Sequence, residues 1–123
     1  MQKEILFRAD GNSEIGLGHL YRLFSLIEML KADFKFTFVS SETSAVNIIP
    51  NSYQLKIIPS QITIREEPEW ISNEFDKNNT LLIADGYQFN SSYQRKIKEQ
   101  GFKFVYIDDL ASEHMFADLI INH

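Results

Sequence analysis

Asp10, Gly16, Gly18, His19 and Arg22 fall within one run near the start of the chain, Ile5 to Arg22 (ILFRADGNSEIGLGHLYR). His19 follows a glycine-containing loop at the expected mouth of a helix, and Arg22 shares its helix face. An imidazole must be neutral to accept a proton, and the positive end of a helix dipole and a nearby guanidinium both disfavour the charged ring. The chemistry predicted is general base catalysis by His19. A strand, a glycine loop and a helix start also form a natural anion site. Two phosphate motifs nevertheless fail. Gly16-Leu17-Gly18 lacks the third glycine of a dinucleotide fingerprint and follows too long a loop, and His19-Leu20 stands where a Walker A loop needs Lys-Ser/Thr.

These residues need a scaffold, and the hydrophobic pattern predicts one. Apolar runs at 5–9, 34–40, 53–58, 80–84, 102–107 and 117–121 read as strands. Between them, helical patterns cover 18–32, a short piece from Ser41 or Ser44 to Ile49, 68–76, and a segment from Ser91 or Ser92 that stops at Gly101. Leu20, Leu23, Phe24, Ile27 and Leu30 form one apolar stripe on the first helix. Strands alternating with helices imply βαβ units, hence an α/β fold: a mostly parallel, Rossmann-like sheet with helices on both faces.

In such sheets ligands bind beyond the carboxyl ends of the strands. Asp10, Asp85, Tyr87, Asp108 and Asp109 then gather with His19 along one rim. Each also has an ordinary role: turn former or helix cap for the acids, a cover for the core edge for Tyr87, a packing or capping residue for His19, and a surface ion pair for Arg22. His114 and His123 show no spacing to a ligand partner, and the acids lack spacing that would specify a metal, so no metal or cofactor is expected.

Composition limits the partners. A net charge of -5 without a basic stripe argues against nucleic acid, and no run approaches the roughly 20 apolar residues of a membrane span. Hydrophobic residues at 44%, with ten Phe, suffice for one core. The absence of Cys removes disulfides and thiolate metal sites, and with no secretory signal the expected location is the cytoplasm. The last strand runs into Asn122-His123 with no helix behind it, which reads as the first half of a longer protein.

Phe7-Arg8-Ala9-Asp10, Ile15-Gly16-Leu17-Gly18-His19 and Arg22 resemble the opening of the UDP-sugar hydrolases of pseudaminic acid biosynthesis, which are grouped with SpsG-like spore-coat polysaccharide proteins. Ala84-Asp85-Gly86-Tyr87, Ile107-Asp108-Asp109-Leu110-Ala111 and Ala117 to Asn122 fit the same family in order and spacing. The Gly-x-Gly-His piece alone is also found in glycosyltransferases of the MurG kind. The resemblance implies that residues 1–123 are the N-terminal, sugar-facing half of a GT-B-like fold, with a C-terminal domain that holds UDP absent from this chain. It implies release of UDP from a UDP-linked diacetamido-trideoxy-hexose, by water attack with inversion. His19 would be the base, with Asp10, Gly16, Gly18, Arg22, Asp85 and Tyr87 on the substrate side. Gly11-Asn12 and Leu20-Tyr21 depart from the family pattern.

Two other readings stand beside it. One is the acceptor-side domain of a nucleotide-sugar glycosyltransferase, with His19 activating a hydroxyl instead of water. The other is a non-catalytic, flavodoxin-like binding module, although the acid pair and Lys of a phospho-receiver are not where such a module needs them.

Overall fold

The protein is described by a computed structural model over residues 3–108 and 119–122, with backbone alone for Asp108 and 119–122. The expectations placed on Asp109, His114, His123 and the stretch 110–118 lie outside the described residues. In chain order the elements are β1 (Glu4–Ala9), α1 (Gly18–Leu30), β2 (Lys35–Ser41), a 3-10 turn (Val46–Ile48), β3 (Leu55–Ile58), α2 (Glu67–Glu74), β4 (Thr80–Asp85), α3 (Ser91–Glu99), β5 (Lys103–Asp108) and β6 (Leu119–Asn122). Among the described residues they form one six-stranded sheet, ordered β3-β2-β1-β4-β5-β6, with every pairing parallel. This is the Rossmann-like α/β arrangement that the alternation predicts. A flavodoxin-like sheet would run 2-1-3-4-5.

The order reverses between β1 and β4, so the switch point lies where Ala9 pairs with Asp85. Successive strand side chains face opposite sides of the sheet, which divides the core in two. Ile5, Phe7, Phe38, Ile83 and Val105 meet Leu20, Leu23 and Ile27 of α1 on one face. Leu6, Leu82, Ala84 and Phe104 meet Ile71 of α2 with Tyr93 and Ile97 of α3 on the other. By the same alternation Asp85 continues the Ile83 side toward α1, and Arg8 continues the Leu6 side toward α2 and α3.

Local differences from the sequence reading have simple causes. The expected short helix after Ser44 is only a three-residue 3-10 turn, closed before Pro50, which cannot extend a helix. The strand expected from Tyr53 begins at Leu55, because the Tyr53 ring turns back to pack against Phe24 and Phe36. The cap of α3 is Asn90, whose side chain accepts the Tyr93 amide, so Ser91 and Ser92 lie inside the first turn. Gly101 does follow that helix in the left-handed region, at φ 95°.

Candidate active site

The loop from Asp10 to Leu17 is a folded unit. Asn12 and Gly16 exchange backbone hydrogen bonds, and the Asn12 side-chain oxygen accepts the amides of Glu14 and Ile15. Gly16 closes this turn at φ 83°, where a side chain would be strained. A Cβ at Gly11 would lie 2.8 Å from Leu20 Cδ1, so the loop packs directly onto α1. The Gly11 amide is also engaged, donating to Ser44 Oγ. These loop amides are thus committed within the protein and do not form a phosphate cradle. Gly18, the first residue of α1, has open space around it and borders a cleft.

Beyond the loop, α1 presents His19 and Arg22 to the end of β4. Asp85 is fully buried, and both of its oxygens are occupied. His19 Nδ1 lies 2.7 Å from Oδ1, while Arg22 donates from Nε to Oδ2 and from Nη2 to Oδ1. Sequence reasoning set Asp85 and Arg22 among groups that touch the substrate. The structure instead joins them to each other and to His19, and the Arg22 partner is buried where a surface ion pair was the ordinary alternative. Tyr87, largely exposed, meets the His19 ring edge-on with centroids 4.9 Å apart.

Asp10 sits across the switch point in a second fork. Arg8 donates from Nη1 and Nη2 to its two oxygens, at 2.6 and 2.9 Å. Ser44 and the Ser41 amide add donors on Oδ1, and Gln88 adds one on Oδ2. Burial discourages charge on Asp10, but the Arg8 charge and these donors outweigh it and hold the carboxyl far below the usual range. Arg8 is itself 2% exposed, not at the rim where the strand pattern placed it. Its Nε and Nη2 donate to Glu67, at the start of α2, and Tyr93 donates its hydroxyl to the same carboxylate. Burial opposes the Arg8 charge, and Glu67 followed by Asp10 reverses that effect, keeping the guanidinium charged. Arg8, Glu67, Tyr93 and Gln88 were not singled out from the sequence. The one signal was an arginine beside a strand's apolar run, since a buried charge needs partners.

The Asp10 fork makes acid stability testable. A depressed carboxyl contributes stability that is present above its unfolded pKa, about 3.9, and is lost as pH falls toward its folded value. In urea unfolding from pH 7 down to pH 2, Asp10→Asn should therefore be well below wild type at neutral pH, with the gap closing below about pH 4. A gap that stays constant over this range would show that the Asp10 charge is not what holds the site.

Two clefts meet at His19. One, of about 490 Å³, has Asp10, Asn12, Glu42 and Gln88 as polar lining and an apolar wall of Ile58, Ile62 and Ile64. The other, of about 630 Å³, lies over Gly18, Tyr21, Arg22 and Ser25. His19, Ile15 and Tyr87 border both. Among the described residues, no group of three His, Cys, Asp or Glu is placed to hold a metal ion, and no helix is long and apolar enough to cross a membrane.

No family model matches the chain. It is 32% identical over 120 residues to UDP-2,4-diacetamido-2,4,6-trideoxy-beta-L-altropyranose hydrolase of Campylobacter jejuni, a match across 97% of this chain. The resemblance carried by the motifs holds. The chain spans 41% of that hydrolase's length.

Proposed function

We propose that this chain is the sugar-facing half of a nucleotide-sugar hydrolase, with His19 as the general base. The observation that carries the reading is the placement of the His19–Asp85 pair at the switch point, between two clefts, in a chain similar to a UDP-sugar hydrolase. In the reaction, water attacks the anomeric carbon from the face opposite the leaving group. Its oxygen forms the new bond to carbon as the carbon–oxygen bond to the β-phosphate breaks. The electron pair leaves with UDP, the configuration inverts, and the water proton passes to His19.

The cleft beside Asp10 suits a deoxy amino sugar. Asp10, Glu42 and Gln88 offer acceptors and a donor for hydroxyl and amide groups, while Ile58, Ile62 and Ile64 offer an apolar wall for methyl groups. Tyr87 would cover the sugar from the solvent side, and Gly16 and Gly18 keep the approach to His19 open. The folded loop leaves no cradle for a diphosphate, and holding UDP falls to a C-terminal domain outside this chain. Two clefts meeting at one base would also serve a transferase, whose acceptor hydroxyl takes the place of water.

The test is a product assay with UDP-2,4-diacetamido-2,4,6-trideoxy-β-L-altropyranose. The isolated 123 residues should release little or no UDP, whereas a chain extended to the relative's length should release UDP and free sugar. Glycoside formation in place of free sugar would identify the transferase. Full turnover by the isolated chain would overturn the division of labour.

A further inference from the structure

We infer that Asp85 is a positioning residue, clamped by Arg22, that fixes His19 as the Nδ1–H tautomer and leaves the lone pair on Nε2. A carboxylate only accepts hydrogen bonds, and a guanidinium only donates them. His19 Nδ1 lies 2.7 Å from Asp85 Oδ1 and 3.3 Å from Arg22 Nη2. A lone pair on Nδ1 would face the oxygen's own lone pairs at 2.7 Å, which is repulsive. A proton there completes a short charge-assisted bond instead. The longer approach of Nη2 follows from two donors converging on the same oxygen, since Nη2 also bonds Oδ1. In the neutral ring, Nε2 is then the nitrogen that accepts a proton.

Arg22 gives the arrangement its direction. Asp85 is 0% exposed, and a carboxylate that deep stays charged only with a partner. The Arg22 fork supplies it from the same helix that carries His19, one turn along. Asp85 is the last residue of a central strand, hydrogen-bonded on both sides through β1 and β5. The ring orientation is therefore set by the sheet and not by the loop. Asp85 and Arg22 act through His19 and need not touch the sugar, which departs from the substrate-contacting roles that the resemblance implies.

The Arg22 clamp also dictates what an amide would do at position 85. In Asp85→Asn the side-chain oxygen must turn to Arg22, because the arginine offers only donors. The amide NH2 then points at His19 Nδ1, which must accept, and the ring proton moves to Nε2. A nearly isosteric change would thus leave the ring in place and remove the base.

The functional weight of this inference rests on the proposed role of His19, but the tautomer does not, and the experiment separates the two. Ring 15N and 13C shifts of His19 would be recorded on the wild-type chain and on Asp85→Asn, at a pH where the ring is neutral. The wild type should show Nδ1–H, and Asp85→Asn should show Nε2–H with its amide fingerprint otherwise retained. In the extended chain the same substitution should lower kcat at least about a hundredfold while KM stays within about threefold. A wild-type ring protonated at Nε2 would overturn the inference, and that measurement stands even if the variant does not fold. An unchanged tautomer in a folded Asp85→Asn would overturn it as well. Wild-type Nδ1–H in an extended chain that hydrolyses no nucleotide sugar would leave the positioning pair intact and refute the proposed reaction instead.

Discussion

His19→Gln, in a chain extended to the relative's length, should lose about 10²- to 10⁴-fold in kcat for UDP release, the range that removing a general base produces. The fold should survive the change. The His19 side chain is 12% exposed, and its loss leaves Asp85 with both bonds from Arg22. Unfolding free energy should shift by about 1 kcal/mol or less, the net worth of one hydrogen bond. Retention of more than a tenth of wild-type kcat would remove His19 from the reaction. Tyr87, which meets the ring edge-on, gives a useful contrast. Its role in covering the sugar would appear mainly as a rise in KM, because it neither gives nor takes the water proton.

The largest stability effect should come from Arg8. Arg8→Met leaves Glu67, Asp10 and the Tyr93 hydroxyl around an apolar side chain in a closed interior. Removing one member of a buried ion pair costs about 3–5 kcal/mol, a large part of the 5–15 kcal/mol by which domains are stable. Urea unfolding should place Arg8→Met at or near the point where much of the chain is unfolded without denaturant. The double variant Arg8→Met, Glu67→Gln should recover part of the loss, because no orphaned carboxylate then remains on α2. A cost below about 1 kcal/mol for Arg8→Met would mean that water reaches this network and screens it.

The sequence carried the architecture because burial repeats along it. β4 lies between β1 and β5 and reads as an unbroken apolar run, while Leu20, Leu23 and Ile27 of α1 recur at helical spacing. It also carried His19, Asp10 and Tyr87 as rim residues, since strand ends are visible where apolar runs stop. Their partners were not visible. Asp85 resembles a turn residue until strand alternation shows that it faces α1. Glu67 bonds Arg8 across 59 residues, and nothing local in the acidic run around it marks one carboxylate as buried. The short elements misled for a related reason. One proline or one ring turned onto the core decides a turn such as 46–48, and periodicity has no room to show itself there.

The span between Arg8 and Glu67 has a consequence for how this chain is made. On the ribosome β1 emerges first, yet it ends up central, paired with β2 on one side and β4 on the other. Its buried guanidinium waits for a carboxylate encoded 59 residues later, roughly 3–12 s at bacterial and eukaryotic elongation rates of about 5–20 residues per second. Until α2 appears, the first strand carries an unmatched cation that resists burial. That charge holds the nascent β1 out of premature collapse and seats it only when the segment that completes the site has been synthesised.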